Sequence, residues 1–416
     1  MRIIDYPDRI ELDELIVSVD NYTRQFAQVW NESNSTVPTL GRVYSLKEKS
    51  AREKDIMKFF DALKKETSKN GFNEKESLKN YDKYVSVIKT FLKDGINFEK
   101  YEIDILFEHG FLKVTSEFFQ AARDYDPKLT IEEIFQACRN VWAMNWLQLL
   151  FEKPVELTPS IFAYSMLYPY TDNYLDNPGI SRNSKVKFNE RLSMRLQGEM
   201  IEPENSNERA IYDFISMIEG QYERSEYPGV FQSLIAIHSA QIKSLRLLKS
   251  DKLSDEELLN ISLEKGGTSV LADGYLVAGE LTEVQKIFLF GYGAYLQLVD
   301  DLQDVCEDSN SGQLTIYSKA AKENALDNLI NQTYNFGERI LTNSGLFNIN
   351  EPDVFELMKK SSRLLLIVAV GITSEYYSSP YVSDIERHSP FRFSFLKNNQ
   401  KFFFDYGVML VNISKK

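Results

Sequence analysis

The chain of 416 residues is short of several things at once. It has two cysteines, Cys138 and Cys306, far apart in sequence, so it offers neither a disulfide framework nor a thiolate metal cluster, and a reducing cytoplasm suits it. It has no long hydrophobic run: the longest, Leu364 to Ile372, is too short to cross a bilayer. The opening MRIIDYPDRIELDEL lacks the apolar stretch and cleavage site of a secretion signal. Positive charge is in deficit. A formal charge of −13 argues against nucleic acid, which rewards basic surface. Alternating apolar and polar runs joined by Asn-Gly or Asp-Gly are missing, which removes the usual signs of hairpins. No G-x-G-x-x-G occurs to hold a nicotinamide; GYGAYL at 291–296 fails that pattern and sits inside a helical stretch.

What is present reads as helix. An apolar fraction of 43% beside 26% charged residues is that of a soluble globular chain, long enough to bury a large core in one or two helical units. Helical periodicity dominates throughout. Thr158-Pro159 sets a cap before a proline at the first helical position. Ser254 with Glu257, and Thr282 with Gln285, match capping boxes. Asn31–Pro38, Ser68–Lys75, Pro203–Asn207 and Leu346–Pro352 read as connections. Residues 1–95 carry Lys/Glu-rich amphipathic helices with no motif, expected to pack as accessory helices on a main body of residues 96–416.

The most informative segment runs from Gly293 to Asp304. Helical spacing stacks Gly293, Gln297, Asp300/Asp301 and Asp304 along one stripe, flanked by Ile287, Tyr295, Leu298, Leu302 and Val305. A surface helix should show a wide polar face, so a narrow acidic stripe in apolar surroundings predicts carboxylates facing an interior cavity. Three like charges within about one turn repel unless a cation neutralises them. Mg²⁺ suits such a place, because it takes one or two carboxylates and fills its other positions with water and phosphate oxygens. A second pair, Asp172 and Asp176, stands four residues apart at the end of SIFAYSMLYPYTDNYLD, one turn after Pro169. Two such pairs can face one another across a cavity and hold more than one Mg²⁺ ion.

These residues resemble a known family. The complete GxxxQxxDDxxD at 293–304 is similar to the second aspartate-rich motif of trans-prenyltransferases, and DNYLD at 172–176 to their first, DDxxD, with Asn173 in place of the middle aspartate. Lys265-Gly-Gly-Thr-Ser-Val-Leu-Ala-Asp273, with the later Gly279, is similar to the family's lysine-led helix, and the three elements occur in the family's order. NYLDN followed by KGGTSVLAD most resembles the bacterial large-terpene synthases, the tetraprenyl-β-curcumene synthase-like group. The resemblance covers about residues 100–400. It implies an all-α class I isoprenoid synthase bundle around a central cavity, and a Mg²⁺-dependent terpene synthase acting on a linear prenyl diphosphate of the C15 to C35 range. Chain length and product skeleton are not legible.

Departures from the transferase pattern point the same way. Asp176 is followed by NPGISRNSK, with Arg182 alone where chain-elongating relatives carry paired arginines, and no Gly-Gly-Lys element lies upstream. On this reading Asp172, Asp176, Asp300, Asp301 and Asp304 are the metal ligands, Lys265 binds the diphosphate, and Arg182, Arg392 and Gln297 are further substrate contacts. Tyr164, Tyr168, Tyr170, Tyr292 and Tyr295 are candidates to face a carbocation by cation–π attraction, although among 27 phenylalanines and 23 tyrosines most must be core. His238 reads as a hydrogen-bonded core histidine or a proton acceptor. A chain-elongating or head-to-head condensing transferase is the neighbouring alternative, and a non-catalytic partner subunit is the alternative of another class. A homodimer is compatible with all three.

Overall fold

The computed structural model describes residues 14–70, 89–90, 92–93, 98–177, 179–248, 253–323, 326–342 and 352–399. The described chain is all helix; among these residues the sole β pairing is an isolated bridge between Leu248 and Gln313. The first helices are α1 (Glu14–Asn31), α2 (Leu46–Asn70), α3 (Lys100–Glu108), α4 (Phe111–Tyr125) and α5 (Ile131–Leu150). They are followed by α6 (Pro159–Asp176), α7 (Arg182–Leu196), α8 (Ser206–Gln221) and α9 (Pro228–Ser244). The long pair α10 (Asp255–Ala278) and α11 (Glu283–Gln303) comes next, then the short α12 (Val305–Ser311) and α13 (Ile316–Ala321). The last are α14 (Leu326–Thr342), α15 (Pro352–Ile372), α16 (Ser379–Glu386) and α17 (Phe393–Asn398).

Local chemistry sets the boundaries that matter. Thr158 accepts from the Ile161 amide ahead of Pro159, opening α6, and that helix runs unbroken through Pro169. Ser254 with Glu257 and Thr282 with Gln285 form reciprocal capping boxes at the starts of α10 and α11. Thr130 with Glu133 does the same for α5, a box the sequence reading passed over.

α10 and α11 are the axis of the molecule, and both are buried on most sides. They cross backbone to backbone. A β-carbon at Gly266 would stand 2.3 Å from the Gly293 carbonyl oxygen, and one at Gly293 would stand 2.1 Å from that of Gly266. Only glycine lets two helices approach so closely. α5, α6 and α9 pack around α10, while α14 and α15 pack on α11.

The N-terminal helix is part of this body. Tyr22, Phe26 and Trp30 of α1 are buried against α10, α11 and α14. The Phe26 ring stacks on Phe290 at 5.9 Å and occupies the notch left by Gly291, and Trp30 meets Phe336 edge-on at 5.6 Å. Tyr22 donates from its hydroxyl to Glu283 at the start of α11. Three aromatic side chains buried at ~1.5–3 kcal/mol each anchor α1 firmly.

Candidate active site

The ring of α5, α6, α7, α9, α10 and α11, with Leu365 of α15, encloses a cavity of about 470 Å³. Its lining is mixed. Arg139 of α5, Lys265 of α10, and Gln297, Asp300 and Gln303 of α11 supply charged and amide groups, while Leu192, Leu196, Leu234, Ile237 and Val270 supply apolar surface interrupted by Asn140, His238, Gln241, Ser269 and Asp273. The Gly266–Gly293 crossing is what brings Lys265 beside Gln297 and Asp300, since any side chain at either glycine would force the two helices apart.

The acidic stripe divides once it is folded. Asp300 faces the cavity mouth, where the Arg139 guanidinium stands 3.7 Å away. Asp301 turns instead into the seam between the helices: Ser262 of α10 donates to its Oδ2 at 2.7 Å and Gln297 to its Oδ1 at 2.8 Å. Burial pushes the Asp301 carboxyl up, and those two hydrogen bonds together with the nearby Lys265 charge oppose the rise. Hydrogen bonds to a charged group are worth ~1.5–3 kcal/mol each, so Asp301 acts as a clamp between α10 and α11. Gln297, expected as a substrate contact, is engaged in that clamp while one side of it still lines the cavity.

The stripe also continues further than the sequence reading took it. The amide of Asp304 bonds the carbonyl of Asp300, and the amide of Asp308 that of Asp304, so the helical register survives the joint between α11 and α12. Asp300, Asp304 and Asp308 therefore repeat every four residues. Burial, then the charges of Asp300, Glu307 and Asp301, raise Asp304 to about 6. Burial, then Asp301, Asp304 and Glu307, raise Asp308 to about 7. Asp308 Oδ2 is buried without a hydrogen-bond partner. Acidic oxygens crowded enough to hold protons near neutrality, one of them orphaned, are what a hard divalent cation would relieve, so the donor set fits Mg²⁺. Among the described residues no three carboxylate, imidazole or thiolate side chains converge into a complete metal cage, and Mg²⁺ does not need one, because water and phosphate oxygens supply its remaining ligands.

The other expected residues separate clearly. Asp172 and Asp176 lie on the last turn of α6, and their side chains fall outside the described residues. Asn173 between them is exposed and donates to Glu133 Oε1 at 2.9 Å. Lys265 lines the cavity, and no described carboxylate comes within ion-pair distance of it. Arg182 is exposed at the start of α7 and takes no part in the cavity lining. Arg392 is held by Glu53 of α2, whose carboxylate accepts from its Nε at 2.8 Å and from its backbone amide at 2.7 Å; the pair ties the C-terminal segment to α2 and stands outside the cavity. Arg139 is the cavity cation the sequence reading missed, a lone arginine in an apolar helix with no motif around it.

Of the aromatic candidates, Tyr164 and Tyr168 line the cavity. Tyr170 donates to Asp126 at 2.9 Å in an aromatic cluster with Tyr125 and Phe214, Tyr292 stacks on Phe288, and Tyr295 fills the space over Gly337. These three are core. His238 is a buried, hydrogen-bonded histidine that also lines the cavity. Its Nε2 stands 3.1 Å from the Asn189 carbonyl oxygen, which only accepts, so that nitrogen carries the proton, and burial keeps the ring neutral.

No family model matches the chain and no curated protein does. Among solved structures it is similar to a geranyltransferase from Legionella pneumophila at 16% identity and a TM-score of 0.35, the likeness covering 71% of this chain and 98% of that one.

Proposed function

We propose that the protein is a Mg²⁺-dependent class I terpene synthase, which ionises a linear prenyl diphosphate of the C15 to C35 range and releases diphosphate and a linear or cyclic terpene. The observation that carries this reading is that Lys265, Arg139 and Asp300 line the same cavity as a set of leucine, isoleucine and valine side chains. That combination suits a prenyl diphosphate, an anionic head on a hydrocarbon tail. The sequence likeness of DNYLD, KGGTSVLAD and GxxxQxxDDxxD supports the same assignment.

In this reading Asp172, Asp176, Asp300, Asp304 and Asp308 are the side chains that would hold Mg²⁺, which when bound neutralises charge on the departing diphosphate. Lys265 and Arg139 donate to the diphosphate from two helices. Ser262 and Gln297 fix Asp301, and through it the relative position of α10 and α11. The leucine and isoleucine wall excludes water from the cation left behind, and the Tyr164 and Tyr168 ring faces attract it. Both cysteines are unpaired, in keeping with a reducing cytoplasm.

The test is incubation with C15 to C35 prenyl diphosphates and Mg²⁺, with and without isopentenyl diphosphate. Inorganic diphosphate and a terpene appearing without the second substrate, and stopping on chelation, is the expected result. A longer prenyl diphosphate formed only with isopentenyl diphosphate makes the protein a transferase instead. No turnover of any chain length ends the enzymatic reading.

A further inference from the structure

One residue of the cavity wall breaks the rule that buried charge is paired. Asp273 lies two turns beyond Lys265 on α10, which at 1.5 Å per residue sets it ~12 Å deeper. It is 3% exposed and lines the cavity in the company of Leu234, Ile237 and Val270. No described residue hydrogen-bonds its carboxyl, and Oδ1 is sealed without a partner. Other buried carboxylates are partnered: Asp301 has Ser262 and Gln297, Glu208 has Arg191, and Glu53 has Arg392, while Asp308, also with an orphaned oxygen, lies among the other acidic residues of its stripe. Burial alone pushes the Asp273 carboxyl up to about 8, with no neighbouring charge contributing. Its conjugate base therefore grips a proton more tightly than an ordinary carboxylate.

We infer that Asp273 is the catalytic base that ends the reaction, taking the terminating proton from the substrate carbocation. The inference rests on the terpene synthase reading. In the step, a C–H bond next to the cationic carbon breaks, its electron pair closes a new C=C bond, and the proton passes to an Asp273 carboxylate oxygen. The neutral acid so formed is the state the apolar wall favours, so the carboxylate that accepts the proton is the minor form near neutrality, its share rises as pH approaches 8, and it is restored by proton loss to water when product leaves. The released diphosphate, held at the mouth by Lys265, and the neutral His238 ring are other bases along the cavity. Lys265 and Asp273 stand ~12 Å apart along α10, so diphosphate and Asp273 reach different carbons of one chain, and Asp273 sets the share of alkene formed at its end.

Asp273→Asn keeps the shape and removes the basic oxygen; Asp273→Leu also removes the buried polar group. Wild type and both variants are given Mg²⁺ and the prenyl diphosphate that wild type accepts, and diphosphate release, product identity and melting temperature are recorded. Diphosphate release should stay within about threefold of wild type, because ionisation happens at the other end. The wild-type alkene should fall by about tenfold or more, with isomers or water-quenched alcohols in its place. Asp273→Leu should melt at or above wild type. The same alkene in the same proportions from both variants overturns the inference. So does a parallel loss of diphosphate release in a variant that melts normally, which would place Asp273 with the ionising groups. Wild type releasing no diphosphate from any chain length fails the terpene synthase reading first, and this inference with it.

Discussion

Asn173 stands where a third acidic side chain would complete DDxxD, and its amide donates to Glu133. Asn173→Asp sets two carboxylates against each other at an exposed site, so the fold should survive with a loss of about 0.5–1 kcal/mol that salt reduces. Thermal melts at low and high salt check this, and Glu133→Gln in the same chain should restore the difference. Lys265 is the cavity cation with no described partner to give up, so Lys265→Ala should weaken diphosphate binding by about one to two orders of magnitude, the ~1.5–3 kcal/mol of one charge-assisted bond. Calorimetry with inorganic diphosphate and Mg²⁺ measures it directly; unchanged affinity would move the head group elsewhere. Asp273 makes a prediction in pH. Its carboxyl ionises near the ordinary value of 3.8 when unfolded and at about 8 when folded, so between those values the folded chain binds the extra proton. Stability from this group is present in acid and drains away as pH rises toward 8. The melting advantage of Asp273→Leu over wild type should therefore grow from pH 5 to pH 8, and a constant difference would mean the carboxyl is not buried as described.

The pair α10–α11 is where the site is made, and its weak point is the glycine crossing. Gly266→Ala or Gly293→Ala would drive a β-carbon into backbone that has no rotamer to yield, a cost of about 1–3 kcal/mol from overpacking. Because Ser262 and Asp301 lie along the same seam, either variant should also lose diphosphate release at temperatures where circular dichroism still reports full helix; normal turnover would show that the seam is not needed. Much of these elements was legible. Ser254, Thr282 and Thr158 announce helix starts through bonds that span three residues, so no tertiary knowledge is required. The aim of Asp301 was not legible. Adjacent residues differ by about 100° around a helix, and which of Asp300 and Asp301 meets the cavity depends on where α10 lies. Asp308 was missed for another reason: the motif ends at Asp304, while the hydrogen-bond ladder carries on past it. Arg392 could be read from its neighbours only as a spare cation, because its partner Glu53 is 339 residues away.

Across the whole molecule, α1 and the acidic helix form one body. Phe26→Ala empties the notch over Gly291 and should cost about 3–5 kcal/mol. Scanning calorimetry should show the main transition moving down as a unit, whereas a separate early transition would mean that the N-terminal helices melt by themselves. The same packing has a consequence in time. Tyr22 waits for Glu283, which follows it by 261 positions. At ~5–20 residues per second a ribosome takes roughly 13–50 s to cover that interval. Until then the aromatic face of Tyr22, Phe26 and Trp30 lacks its native partners on α10, α11 and α14, so this early helix is among the last to find its place, and a slowed or truncated synthesis leaves that sticky face on display.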